Sequence, residues 1–132
     1  MTPQEVFDLV VTHLRNQGHK AETTISYEDP LRKGIPQCVY LDPETGDRCS
    51  AGCLIEREEY SPQFEGKSFV SIINQPIYGA PIGMVERLSP HVRLIEALQH
   101  VHDREDVSDW EEYLVGLANR FGLQYNPPPA TT

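Results

Sequence analysis

The sequence predicts an α+β fold that is mainly helical, with about four helices packed around a short β-hairpin in a single compact domain. Three observations support this prediction. Apolar residues recur at helical spacing near both ends of the chain, between residues that typically begin and end helices. A strand-like stretch, Cys38–Leu41, precedes a run of turn-forming residues in the middle. The length of 132 residues suits one domain.

The first helix is predicted for residues 3–17. Thr2 and Glu5 have the spacing of a capping box, and Pro3 suits the first helical position. Apolar residues then form one broad stripe, and Gly18 provides a left-handed end. The following segment, residues 19–37, mixes β-branched residues with Pro and Gly, which predicts a loop containing a short strand.

The middle of the chain predicts the hairpin, two further helices and a packed loop. Residues 38–41 form its first strand, 42–47 its turn and 47–49 its returning strand. An apolar pair and a charged run then predict a helix that ends near Tyr60. Residues 64–74 favour a short helix over a strand. Residues 75–88, which contain two Pro and two Gly, predict a packed loop with one helical turn.

Two helices close the predicted domain. Ser89 and Pro90 begin the first, and Ser108 with Glu111 has the capping-box spacing for the second, which Gly122 ends. The short join between them predicts antiparallel neighbours. We assign residues 1–125 to one globular domain and residues 126–132, which hold three prolines, to a flexible C-terminal tail.

The charge balance restricts the classes of partner. Twenty acidic residues against eleven basic ones give a formal net charge of −9, and the Lys and Arg residues are scattered. Binding to nucleic acid needs clustered cations, so direct nucleic-acid binding is not expected. No signal peptide and no apolar run of about 20 residues is present, so no membrane association is expected. An odd number of cysteines without a signal predicts a cytoplasmic protein.

All three cysteines fall in the central stretch, at Cys38, Cys49 and Cys53. Burial as small apolar side chains is the first interpretation, because free cysteine is among the most buried residue types. The second is a tetrahedral zinc site in which His102 is the fourth ligand; no other cofactor is expected. The third is a thiol enzyme with Cys53 as nucleophile and His102 as base. Asp103, next to His102, could steer a neighbouring group.

The central motif also resembles a known group of proteins. The octapeptide Arg48–Ile55 (RCSAGCLI) and the later pairs His102-Asp103 and Trp110-Glu111 are similar to a family of small uncharacterised proteins carried by bacteria and their phages. The resemblance extends over most of the chain, including the opening helix. It implies no activity, since none is assigned to that family. It implies an accessory protein of a phage or mobile element that acts inside a bacterial cell.

Enzyme motifs are missing from the sequence: there is no phosphate-binding glycine loop, no nucleophile-elbow serine and no paired-histidine zinc helix. The leading hypothesis is therefore a small acidic cytoplasmic accessory protein that binds another protein, one with a basic surface, without catalysis. A zinc-binding domain that uses Cys38, Cys49, Cys53 and His102 is the alternative, followed by the thiol enzyme.

Overall fold

The computed structural model describes residues 1–24 and 36–126. Five α-helices and two short strands make up the described part of the chain, in the order α1 (Pro3–Gln17), β1 (Glu22–Thr24), β2 (Pro36–Cys38), α2 (Phe69–Asn74), α3 (Ile82–Leu88), α4 (Val92–Arg104) and α5 (Trp110–Phe121). Single 3₁₀ turns connect several of them, at Gly52–Leu54, Pro62–Phe64, Pro76–Tyr78, Ser89–His91 and Val107–Asp109.

Helix α1 confirms the first prediction at both ends. The Thr2 hydroxyl accepts the Glu5 amide at 3.1 Å, and the Glu5 carboxylate accepts the Thr2 amide at 2.8 Å, so the capping box is complete. Gly18 ends the helix in the left-handed conformation, with a φ of 72°. The signals at these ends are local, which is why the sequence alone locates them.

The predicted α+β class is wrong, because no hairpin forms across residues 38–49, whereas the predicted mainly helical character is confirmed. Only one antiparallel bridge, between Leu41 and Arg48, joins the two expected strands. The backbone groups that would form a ladder bond to side chains instead. The amides of Tyr40 and Leu41 donate to the Glu65 carboxylate, and the Arg48 amide donates to Gln17 Oε1 at 2.8 Å. The strand pairing that does occur joins three residues of β1 to three of β2.

The prediction of a helix that ends near Tyr60 is also wrong, since only the 3₁₀ turn Gly52–Leu54 forms in that segment. The backbone at Gly52 lies so close to Tyr40 that an added Cβ would stand 1.9 Å from the Tyr40 carbonyl oxygen. This contact fixes the local path of the chain and requires glycine.

The region from residue 64 to 88 is more helical than predicted. A short helix does form within residues 64–74, but it is confined to α2, where Ser68 caps it by accepting the Ser71 amide. The segment predicted as a packed loop contains the whole of α3.

Helices α4 and α5 confirm the two predicted closing helices, and they pack against each other. The capping box predicted at Ser108 does not form. A 3₁₀ turn, Val107–Asp109, runs directly into α5, so Asp109 is the residue before the helix and its side chain caps nothing. Gly122 ends α5 as predicted, with a φ of 68°. Most of the predicted tail lies outside the described residues.

The core is one cluster of buried apolar side chains drawn from every helix. Helix α4 is central to it, because it packs against α1, α2 and α5. Its inner face carries Leu94, Ile95, Leu98 and Val101, and His102 lies on the same buried face. A polar side chain at this depth needs hydrogen-bond partners, and these partners organise the candidate site.

Candidate functional site

The candidate site is built around His102, which is completely buried in the last turn of α4. Its Nε2 atom accepts the backbone N–H of Ala21 at 2.9 Å. Because a nitrogen that accepts carries no proton, the neutral ring must hold its proton on Nδ1. Nδ1 lies 2.7 Å from Oδ1 of Asp103, to which it donates. His102 is therefore a neutral imidazole with both nitrogens in use.

Asp103 is the acceptor on which several groups converge. Besides His102, the Gln99 amide lies 3.3 Å from each of its oxygens, and the Cys38 sulfur lies within 4.8 Å of the carboxylate. Gln99 in turn accepts the Ala51 backbone amide at 2.9 Å. The network thus links α4 to the end of β2 and to the central turn. The Asp103 carboxylate thus accepts hydrogen bonds from both His102 and Gln99.

Three possible metal ligands meet here, since donor atoms of Cys38, His102 and Asp103 lie within 4.8 Å of one another. A metal on Nδ1 of His102 would displace the proton onto Nε2, where it would face the N–H of Ala21. Two N–H groups cannot bond to each other, so binding a metal would break the 2.9 Å bond to Ala21. The donor set therefore does not fit a metal ion in the observed arrangement.

The other two predicted ligands, Cys49 and Cys53, are not part of this group. Cys49 is fully buried, and its sulfur accepts the Gly52 amide at 3.3 Å. The Cys53 thiol donates to the Ser50 carbonyl at 3.1 Å. Both sulfurs thus form hydrogen bonds to backbone groups of the turn in which they lie. The four-ligand zinc site of Cys38, Cys49, Cys53 and His102 stays a prediction, which metal analysis of the purified protein tests.

The thiols are held in their protonated form. Burial raises the pKa of Cys38 to about 12, and the nearby Asp103 carboxylate adds to the effect. Burial likewise raises the pKa of Cys49 to about 12 and that of Cys53 to about 12, although Arg48 partly opposes it at Cys53. Nucleophiles and metal ligands are thiolates, so at neutral pH none of the three is activated.

A cavity of about 430 Å³ opens beside Cys38. Its wall carries charges of both signs, which come from Lys67, Glu96, Asp103 and Arg104. Tyr40 also lines this wall. His100 also lies on this wall, and its side chain is 66% exposed. The Cys38 thiol is protonated at neutral pH, so it does not provide this cavity with a nucleophile.

A second feature, which the sequence did not reveal, is an apolar hollow between α2 and α3. Its volume is about 230 Å³, and apart from the polar Gln75 it is lined by apolar residues, namely Ile72, Ile73, Pro76, Ala80, Ile82 and Val85. Two large apolar side chains at this corner, Ile77 and Ile82, are each 77% exposed. The hollow could not be predicted from the sequence, because residues 75–88 predict a loop and no exposed helix face was expected there.

Comparison with known proteins yields no relative: no family model, no curated protein and no solved structure matches this chain. The described helices include none that combines the length and the apolar character needed to span a membrane.

Proposed function

We propose that this chain is a small acidic accessory protein that acts by binding another protein, without catalysis of its own. The observation that carries the proposal is the exposed apolar hollow between α2 and α3. The proposed setting is the cytoplasm of a bacterial cell, as an accessory of a phage or mobile element. The three free thiols support the compartment, and the resemblance of the Arg48–Ile55 motif supports the setting.

The hollow has the character of a protein-binding site. Scattered apolar residues are normal on a protein surface and need no partner. Here Ile82, which is 77% exposed, lines a recess together with the buried Ile72 and Ile73. A partner side chain placed in this recess would lose contact with water and cover Ile82 at the same time. Apolar anchors in such recesses dominate the binding energy of protein interfaces.

Charge beside the hollow indicates the chemistry of the partner. Glu86 follows Ile82 by four residues in α3, so the two share one face of the helix. Glu86 is exposed, and no ion pair joins it to a cation within residues 1–24 and 36–126. With a net charge of −9 on the chain, the surface favours a partner that presents an apolar side chain next to a Lys or Arg.

The state of the buried polar groups supports a function without catalysis. Each thiol has a pKa near 12, and His102 uses both ring nitrogens in hydrogen bonds. A general base needs a free lone pair within reach of the group it deprotonates. His102 offers none, so Cys53 has no base there.

Affinity capture from bacterial lysate tests the proposal when variants are compared. We expect Ile82→Glu to abolish retention of a specific protein, because a carboxylate would have to be desolvated in the hollow. Glu86→Lys should weaken retention at least about tenfold, because it places a cation opposite a basic group. Leu9→Glu changes a residue of α1 that is 40% exposed and serves as the matched control.

A protein retained by the wild type and by Leu9→Glu, but not by Ile82→Glu, supports the proposal. Circular dichroism confirms that each variant is folded. If every retained protein binds wild type and Ile82→Glu equally, the proposed function is wrong.

A further inference from the structure

A groove of about 550 Å³ runs between the exposed sides of α4 and α5. Its lining is Ala97, His100 and Val101 from α4, and Glu112, Tyr113, Gly116, Leu117 and Arg120 from α5. The apolar floor lies in the middle, and a charged residue of α5 stands at each end. This groove is separate in sequence from the α2–α3 hollow of the proposed function.

Gly116 is the unusual residue in this groove. It lies at the middle of the twelve-residue helix α5, where glycine costs about 1 kcal/mol of helix stability relative to alanine. Among the described residues, a Cβ added at Gly116 would meet no atom within 4 Å, and Gly116 does not have a positive φ. Within residues 1–24 and 36–126, the fold of one chain therefore gives no reason for glycine here. Glycine does allow another backbone to approach closely.

The charges are placed symmetrically about this glycine. Glu112 precedes Gly116 by four residues and Arg120 follows it by four, so all three lie on one face of α5. Within one helix, Glu112 and Arg120 are about 12 Å apart at 1.5 Å per residue, which is too far for an ion pair. If two copies of α5 crossed antiparallel at Gly116, each Glu112 would lie opposite the Arg120 of the other copy.

We propose that two copies of this chain form a dimer through the α4–α5 groove, with the two α5 helices antiparallel and a twofold axis at Gly116. Such an interface is isologous, because the same surface contributes from both sides. Two Glu112–Arg120 pairs close its ends, and the paired glycines allow close packing at its centre. The antiparallel arrangement also sets the two helix dipoles in opposition, which is favourable.

The helix dipole of a single chain explains only part of this pattern. Glu112 lies in the first turn of α5 and Arg120 in its last turn, where each charge stabilises its own helix. That effect does not explain a glycine in the middle of the helix. Tyr113, 45% exposed beside the same groove, adds an aromatic side chain of the kind enriched at interfaces.

Sedimentation equilibrium of charge-reversal variants tests the proposal. We expect the wild type to be a dimer, and both Glu112→Arg and Arg120→Glu to raise the dimer dissociation constant at least about tenfold, because each places like charges together. The double variant, which carries both changes, should restore the dimer. This restoration can arise only between copies, since the two positions are too far apart to pair within one helix.

The groove itself is tested by Gly116→Leu. Leucine forms helix better than glycine, so the variant should fold at least as stably as the wild type, yet its side chain would obstruct the crossing and yield a monomer. Gly83→Leu is the matched control, because a Cβ at Gly83 in α3 also meets no atom of the described residues within 4 Å. That variant should remain a dimer.

The dimer is ruled out if the wild type is monomeric at concentrations up to about 1 mM. It is equally ruled out if Gly116→Leu and the wild type have the same dissociation constant, or if the double variant is as weak as the single ones. These outcomes leave the α2–α3 hollow untouched, so they are distinguishable from failure of the proposed function.

Discussion

The Nε2 atom of His102 accepts the backbone N–H of Ala21 at 2.9 Å, although 81 residues separate the two in the sequence. This bond fixes the tautomer of the ring and directs its Nδ1 proton to Asp103. It also joins the last turn of α4 to the residue just before β1. A side chain that looks catalytic or metal-binding in the sequence thus serves as a structural connection.

Replacement of His102 by phenylalanine should destabilise the protein by about 1–3 kcal/mol, because the buried amide of Ala21 loses its acceptor. Phenylalanine keeps a ring next to Trp110, whose centroid lies 5.7 Å from that of His102, so packing is largely retained. Urea unfolding measures the loss. His100→Phe, at an exposed position of the same helix, should change stability by less than about 0.5 kcal/mol. Equal stability of the two variants would contradict the structural role of His102.

Replacement of Asp103 by asparagine should increase the rate at which iodoacetamide alkylates Cys38. Burial is the main cause of the raised thiol pKa, and the Asp103 carboxylate is the next. Without that negative charge the Cys38 thiol ionises more readily. A fall of one unit in its pKa increases the alkylation rate up to about tenfold. Mass spectrometry at pH 8 identifies the labelled cysteine, and Cys38→Ser is the control. An unchanged rate at Cys38 would show that Asp103 does not act on the thiol.

Stability should decline as the pH rises from about 8 to 10. Burial raises the pKa of Cys49 to about 12, above its value of about 8.5 in the unfolded chain. Below pH 8 the thiol is protonated in both states, and its contribution is fully present. Above that pH the unfolded chain loses the proton while the folded chain retains it, which favours unfolding by about 1–2 kcal/mol at pH 10.

Urea unfolding at several pH values measures this decline, and Cys49→Ala is the comparison. The variant loses packing at every pH, so the slopes rather than the absolute free energies are compared. A shallower slope for Cys49→Ala is expected, with a remainder from Cys38 and Cys53, whose pKa values are raised in the same direction. Parallel slopes for the two proteins would show that Cys49 ionises equally in both states.

Gly52→Ala should cost at least about 2 kcal/mol, because the methyl group would stand 1.9 Å from the Tyr40 carbonyl oxygen, a backbone atom that cannot rotate away. Gly83→Ala is the matched control, since its methyl group meets no atom within 4 Å in the part of the chain that the structure describes. That change should be neutral or stabilising by up to about 1 kcal/mol. Thermal unfolding of both variants decides; similar melting temperatures would argue against the close contact at Gly52.

The parts of the fold that could be predicted are those with local signals. The capping box at Thr2, the glycine ends at Gly18 and Gly122 and the apolar stripes of α1, α4 and α5 are each contained in about one helix length. The hairpin failed because the amides of Tyr40 and Leu41 bond to Glu65, more than twenty residues away. Strand propensity does not reveal such a distant hydrogen-bond acceptor, so the predicted fold class was wrong.

The candidate site was predictable to a similar extent. His102 follows the apolar stripe of α4, which indicated that it faces inward, and Cys38 was among the residues singled out. Gln99, three residues before His102, could have been found from helical spacing. The role of Ala21 could not, because its contribution is a backbone amide, which every residue possesses.

Helix α4 supplies acceptors to two distant amides, that of Ala21 through His102 and that of Ala51 through Gln99. Neither amide belongs to a helix or a regular strand ladder, so hydrogen exchange at both depends on α4 remaining in place. Their exchange with deuterium should therefore proceed at matching rates, set by the same opening event. Two amides thirty residues apart would then report on the detachment of a helix to which neither belongs.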